Sequence, residues 1–392
     1  MIRLFHFCLV NSITLGVYMG WSQHHQVGLI YSAPQHCYRG YTLISNNRGR
    51  HAYLIDLNGQ VCHRWESGEG ISYCYLLDNG NLLLRTGAPE DANGAEKIGG
   101  SSGAILELDW DSNVVWEYRN PYLHHDYERL SNGNTLVLLF ELLSPELTNR
   151  IQGGIRTSDD PKMMFGDIVK EITPDGSIVY EWKSWEHLDP ENEPICPLED
   201  RKEWTHGNSL NVTPDGDLVV SYRRISTVGI VDKSTGQFRW KWGRGEIDHQ
   251  HHPTWLDNGN ILIFDNGFHR QRSSYSRVIE VNPTSDQIMW EYKGNPAISF
   301  YSQAISSSER LPNGNTLICE GSPGRIFEVT LNKEIVWEYV NPFFVPGGGN
   351  DTPELINGVF RAHRYGPDHS SLRNKEMNPG NYGNINRLYC KA

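Results

Sequence analysis

Short apolar runs recur along the chain, each closed by a polar turn, and no long segment sustains the 3.6-residue period of an amphipathic helix. Two units alternate. The first is a turn, then mostly apolar or β-branched residues, then an aromatic–charged–aromatic ending. It reads Asp111-Ser-Asn-Val-Val-Trp116-Glu-Tyr118, Asp175-Gly-Ser-Ile-Val-Tyr180-Glu-Trp182, Thr235-Gly-Gln-Phe-Arg-Trp240-Lys-Trp242, Asp286-Gln-Ile-Met-Trp290-Glu-Tyr292 and Lys333-Glu-Ile-Val-Trp337-Glu-Tyr339. A weaker copy is Asn58-Gly-Gln-Val-Cys-His63-Arg-Trp65. Positions 63, 116, 180, 240, 290 and 337 are spaced by 53, 64, 60, 50 and 47 residues, a period that suits a four-stranded blade with variable loops.

The second unit is a hairpin turn: Asp78-Asn-Gly-Asn, Ser131-Asn-Gly-Asn, Pro214-Asp-Gly-Asp, Asp257-Asn-Gly-Asn and Pro312-Asn-Gly-Asn, each followed by an apolar strand. Asn-Gly and Asp-Gly tolerate positive φ and join two antiparallel strands. The sixth hairpin is split between the ends of the chain. Gly40-Tyr-Thr-Leu-Ile matches the strand that follows the turn elsewhere, and Val359-Phe-Arg-Ala-His-Arg-Tyr365 matches the strand that precedes it. The pattern predicts an all-β, six-bladed β-propeller over residues 38–366, with its last blade closed by N- and C-terminal strands, so that no sheet edge is left open. An open stack of sheets or a β-sandwich leaves the six-fold count unexplained. Residues 367–392, rich in Asn, Gly and Pro, read as a loop-like tail.

Composition agrees: 12 Trp and 19 Tyr suit strands, and 38 Gly suit turns. A net charge of −12 without a basic block argues against nucleic-acid binding. The apolar run from Leu4 to Gly20 behind Arg3 resembles a signal peptide, so residues 1–25 are expected to be a leader and the protein to be exported to a periplasmic or extracellular space. No segment reaches the length of a stable membrane span. Of seven cysteines, six would follow a cleaved leader, and Cys62 and Cys74 are placed either to pair between neighbouring strands or to stay buried and free.

In a propeller the inner strands line the central channel, and those strands should immediately precede the Asn-Gly turns. They are rich in histidine: His124-His125-Asp126 in blade 2, Trp204-Thr205-His206-Gly207-Asn208 in blade 3, His249-Gln250-His251-His252 in blade 4, and His363 between Arg361 and Arg364 in the closing blade. A single inner-strand histidine is ordinarily a packed, hydrogen-bonded residue. Recurrence at matched positions is what turns these into candidates. Arg223 and Arg270 follow the apolar strands of blades 3 and 4. Histidine, arginine and asparagine in a water-poor pocket suit an oxyanion such as sulfate or phosphate, and neutral histidine serves as nucleophile or acid/base near pH 7.

Thr205-His206-Gly-Asn-Ser, Gln250-His251, Phe264-Asp265-Asn266-Gly267 with Arg270, Phe300-Tyr301-Ser302 and the recurring Trp-Glu-Tyr and Asn-Gly-Asn units together make the chain, over about 40–365, resemble the arylsulfotransferase (ASST) family of six-bladed propellers. The resemblance implies a cofactor-free double displacement. An aryl sulfate donor passes its sulfuryl group to a histidine, and a phenolic acceptor takes it. It matches His206, His251, Asn266 and Arg270 to the family's sulfate-binding and acid/base segments, with the choice among His249, His251 and His252 left open, and it implies small-molecule partners and no resident metal. The inner-strand and strand-end positions add His125 and His363 as catalytic candidates and Asn208 and Arg223 as substrate-binding residues; a homodimer is left open. One departure stands out. The family leads us to expect the sulfuryl-carrying histidine near Phe300-Tyr301-Ser302, yet 295–306 holds none, with Ile298 and Gln303 where one would be sought. Two other readings therefore stand beside transfer: a binding propeller that has lost its nucleophile, and a metalloenzyme ligated by His125, His206, His251 and His363.

Overall fold

The two sequence units fold as opposite edges of the same sheets. In a computed structural model, which describes residues 26–88, 98–156, 163–347 and 354–389, six antiparallel four-stranded sheets are arranged as propeller blades. Blade 2 shows the plan: inner strand Leu123–Arg129, then Thr135–Leu142 and Phe165–Ile172, then outer strand Ile178–Lys183, which carries the aromatic unit. The expected leader over 1–25 lies outside the described residues. The closing blade runs His363–Tyr365, Tyr41–Ser45, Gly49–Ile55, Val61–Ile71, with Leu43 opposite His363, so the C-terminal strand completes a blade begun near the N-terminus. That strand is shorter than the sequence suggests. Only His363–Tyr365 is regular, and Val359 contributes an isolated bridge to Asn46.

Two segments fall outside the expected span of 38–366. Gly28–Ser32 adds a fifth strand to the outer edge of blade 5. It covers Val336, whereas Val114, Val115, Ile178 and Val179 on uncovered outer strands are exposed. The tail is not all loop. Its helix Gly383–Tyr389 docks on the closing blade, where Asn386 Oδ1 accepts from Val61 N (2.8 Å) and Tyr382 Oη meets His63 Nδ1 (3.2 Å). Cys62 and Cys74 are buried and unpaired, as are Cys37 and Cys319.

Adjacent blades are fastened by one repeated contact set. The second asparagine of the Asn-Gly-Asn turn reaches a glutamate on the third strand: Asn81 to Glu107 (2.7 Å), Asn134 to Glu171 (2.5 Å), Asn260 to Glu280 (2.6 Å) and Asn315 to Glu328 (2.6 Å). An arginine of the next inner strand then pairs with that glutamate: Arg129 with Glu107 (3.2 Å), Arg310 with Glu280 (2.8 Å), Arg364 with Glu328 (2.5 Å). The same three guanidiniums lie over Trp116, Trp290 and Trp337 at 4.6, 4.9 and 4.4 Å from the ring centroids. Lys233 takes the part between Glu171 and Tyr180.

The channel is closed at its centre. Arg361, from the closing blade, forks onto Asp126 of blade 2 (Nη1–Oδ1 2.8 Å, Nη2–Oδ2 2.7 Å) and donates to Asn208 O of blade 3 (3.1 Å). Both side chains are almost fully buried. Removing one member of such a pair strands the other charge, so Arg361→Ala should cost about 3–5 kcal/mol in denaturant unfolding. Arg361→Met combined with Asp126→Leu should recover much of that loss. A single variant as stable as the parent would show that the pair does not hold the ring.

Candidate active site

Backbone irregularity aims the histidines. Ladder register breaks between Val137 and Leu139 in blade 2, between Gly207 and Ser209 in blade 3, and between His251 and Thr254 in blade 4. His125, His206 and His252 at or beside these breaks have positive φ (44°, 55°, 50°), a conformation that bends an inner strand and redirects its side chain. His125 and His206, with His251, line a funnel of about 1160 Å³ together with Arg85, Glu203, Phe360, Arg223 and Arg224; His252 instead meets Ser308 O (3.1 Å). Gly100 roofs His125. Its φ is +83°, and a Cβ there would come within 2.1 Å of the imidazole, so only glycine fits.

Hydrogen bonds fix which ring nitrogens are free. Asn266 Nδ2 donates to Ser302 O (2.8 Å) and Ile305 O (3.0 Å), which turns its Oδ1 toward His251 Nδ1 (2.7 Å). An amide oxygen only accepts, so His251 carries its proton on Nδ1 and keeps a lone pair on Nε2. His206 Nδ1 lies 2.6 Å from Glu203 Oε1. His125 and His206 rings are 4.4 Å apart, and His125 Nδ1 is 3.0 Å from His124 Nδ1. Behind them, Asp167 accepts from Gly207 N (2.6 Å) and from the Thr205 hydroxyl, and its Oδ1 lies 3.3 Å from His124 Nε2.

Burial dominates the electrostatics. It holds His125, His206 and His251 well below the ordinary imidazole range; nearby His206 adds to this at His125, and Arg223 at His206 and His251. All three are neutral at pH 7. Burial likewise lifts Glu203 to about 7, although Arg224 and Arg223 pull it down, and lifts Asp167 to about 7. Arg85 is drawn down to about 10 by burial and stays charged. The arrangement offers neutral nitrogen lone pairs beside fixed cationic groups.

The expected residues divide accordingly. His125, His206, His251 and Arg223 meet at the funnel. Asn266 stands behind and orients His251. Asn208 is buried and donates to Gln250 O (2.7 Å), so it braces blade 4 from inside the wall. Arg270 is not at the funnel. It is spent on Asp265 at the end of the preceding strand (2.5 Å), Asp248 in the loop before the inner strand (3.2 Å) and Tyr275 O (2.9 Å). His363 lies further along its strand, beyond the Arg361–Asp126 layer, between Tyr73 Oη (3.1 Å) and Glu309 (3.2 Å). His363 is thus separated from His125, His206 and His251, and the four do not make one metal set. Among the described residues they form no ligand group. In blade 5, the position seven residues before the turn asparagine, where His125 and His251 stand in theirs, is Ser306. Its hydroxyl donates to Ser302 Oγ (2.9 Å).

A family model described as Arylsulfotransferase (ASST) matches residues 75–342. The chain belongs to the arylsulfotransferase family. No curated protein matches it. A solved protein of unknown function from Bacteroides caccae is 12% identical, with TM-score 0.52, over 83% of this chain and 98% of that one. Virginiamycin B lyase from Staphylococcus aureus is 14% identical, with TM-score 0.42, over 81% and 86%. The WD40 propeller domain of Doa1 is 11% identical, with TM-score 0.42, over 83% and 95%. At these identities the likeness concerns the fold. Membership supports an arylsulfotransferase-like function on small molecules. No helix among the described residues is long and apolar enough to cross a membrane.

Of the arylsulfotransferase funnel, Arg85 and Glu203 escaped the sequence reading. Arg85 had a signal: it ends the apolar strand Leu82–Arg85 as Arg223 follows Leu218–Tyr222. Glu203 had none, since it lies in the long connection before blade 3.

Buried and half-buried histidines set an acid limit on the fold. Nine, namely His51, His63, His124, His125, His206, His249, His251, His252 and His269, have lowered folded-state values. Their contribution is complete above the unfolded value of about 6.5 and is lost as pH falls below it. Five raised carboxyls, Glu128, Asp167, Glu203, Asp265 and Glu320, act oppositely over the same range. With the five carboxyls replaced by their amides, only the histidine loss remains, and the thermal midpoint should drop between pH 7.5 and pH 5. A midpoint that rises toward pH 5 would mean the funnel histidines are not held neutral.

Proposed function

We propose that this arylsulfotransferase moves a sulfuryl group between phenols through His206. The observation that carries the reading is the Glu203–His206 pair, a neutral imidazole backed by a carboxylate and opening into an arginine-walled funnel. At 8%, His206 is the most exposed of the three funnel histidines. When Glu203 is ionised it accepts the Nδ1 proton, and the Nε2 lone pair faces the cavity.

In the first half-reaction Nε2 attacks sulfur. A nitrogen–sulfur bond forms, the sulfur–oxygen bond to the aryl group breaks, and the phenolic oxygen leaves with the electron pair. Arg85 and Arg223 offset negative charge on the sulfuryl oxygens. In the second half an acceptor phenol gives its proton to His251 Nε2 as its oxygen attacks sulfur and the nitrogen–sulfur bond breaks. By microscopic reversibility the same imidazole protonates the first leaving group, and the arriving sulfate's negative charge favours the imidazolium that this needs. No step requires a nucleotide or other cofactor.

The test is turnover of p-nitrophenyl sulfate with a phenol acceptor. His206→Asn should lower kcat by about 10³-fold or more. Mass spectrometry should find an adduct of about 80 Da on His206 when donor is supplied alone. Rates should climb with pH through about 7 as Glu203 ionises, and Glu203→Gln should abolish that rise, because an amide oxygen accepts the Nδ1 proton at every pH. The second reading, a binding propeller, rests on Ser306 in blade 5. Aryl sulfate that raises the thermal midpoint without turnover or adduct would establish it and overturn transfer.

A further inference from the structure

Outside the funnel wall, Cys196, His249 and His269 converge from three stretches of chain. Cys196 belongs to the connection between blades 2 and 3, His249 leads into the inner strand of blade 4, and His269 follows the second strand of that blade. One ligand atom from each lies within 4.8 Å of the others. Cys196 Sγ and His269 Nδ1 are 3.4 Å apart, and the His249 and His269 rings meet edge-on at 4.8 Å between centroids. His249 is 1% exposed, yet neither of its ring nitrogens has a hydrogen-bond partner. Its Nε2 faces Glu199 Oε1 at 3.1 Å, and Glu199 is in turn held by Arg223 (2.8 Å) and Arg224 (3.6 Å). A buried imidazole with one nitrogen facing a carboxylate and the other unpartnered is the usual posture of a metal ligand, in which the carboxylate orients the ring and raises its basicity.

We propose that Cys196, His249 and His269 bind a zinc ion. One thiolate and two imidazoles are a ligand set that zinc takes with a fourth position left to water, and Cys196 and His269 are part-exposed, leaving a path for the ion. Tetrahedral zinc with bonds of about 2.3 Å to sulfur and about 2.0 Å to nitrogen sets a sulfur–nitrogen edge of about 3.5 Å, close to the Cys196–His269 separation. The wider approach of the third ligand, within 4.8 Å, needs up to about 1.5 Å of closure, which side-chain rotation at the part-exposed pair would supply. Zinc displaces the thiol proton as it binds. The ion would tie the crossover loop to blade 4 and, through His249 and Glu199, fix Arg223 at the funnel wall. The site shares no residue with the sulfuryl-transfer reading and is tested apart from it.

The experiment uses the full chain, stripped of metal under reducing conditions and titrated with Co²⁺. One equivalent should produce a near-ultraviolet thiolate-to-cobalt band and visible bands of tetrahedral intensity, and one equivalent of Zn²⁺ should erase both. Cys196→Ser should abolish the near-ultraviolet band, and His269→Ala should weaken Co²⁺ binding at least tenfold. His269 is part-exposed, so that variant keeps the test valid if Cys196→Ser folds poorly. Absence of the thiolate band in the parent chain, or its persistence in folded Cys196→Ser, would overturn the site.

Discussion

The molecule turns on the ion pair between Asp126 and Arg361 at the middle of its channel. The guanidinium is delivered by the last strand of the chain and the carboxylate by blade 2, with a third blade accepting through Asn208 O. The pair therefore reports ring closure directly: Arg361 reaches its partner only when the C-terminal strand has joined the N-terminal blade. It also divides the channel. With a bonded charge layer across it, the funnel becomes a blind pocket, and a blind pocket is what desolvates His125, His206 and His251. Their neutrality follows first from burial, with His206 beside His125 and Arg223 beside His206 and His251 lowering them further.

Around that centre, packing and polarity are shared by one device. The Asn-Gly-Asn turn does more than reverse the chain. Its second asparagine holds a glutamate, the glutamate holds an arginine of the next blade, and that arginine covers the tryptophan of the blade it left behind. The aromatic unit and the turn recur together because each supplies half of the same interface. The contact set recurs at four junctions, so its residues recur in the sequence, and the aromatic unit alone carries the count to six. The same logic explains what was hidden. Gly28–Ser32 pairs with a single outer strand and has no counterpart elsewhere, so repetition could not mark it.

The site was legible to the extent that it repeats. His125 and His251 stand at one position of their inner strands, seven residues before the turn asparagine, and both reach the funnel. His206 stands two residues earlier than that position in blade 3, where Asn208 occupies it, and arrives through a positive-φ turn of backbone that no residue pattern announces. Arg270 and Arg223 looked alike in sequence, each after an apolar strand. They part because Asp265 and Asp248 capture the first, whereas Glu199 holds the second at the wall. His363 misled for a different reason. It lies four residues before the level of the split turn, deeper than the others, so matching the strand was not enough without matching the height.

Height along the inner strand also bears on the missing blade 5 histidine. At the level of His125 and His251 that blade presents Ser306, tied to Ser302, and the carbonyls of Ser302 and Ile305 hold the amide of Asn266. Blade 5 is therefore not idle. Its backbone determines the orientation of Asn266, Asn266 holds the Nδ1 proton of His251, and that leaves Nε2 of His251 as the nitrogen free to exchange a proton in the funnel. Blade 5 thus sets the posture of a histidine in its neighbour, while the carboxylate-backed imidazole, His206 on Glu203, stands on the other side of His251 in blade 3. Under the transfer we propose, that pairing leaves a two-imidazole funnel, the minimum that a reaction with separate nucleophile and proton acceptor requires.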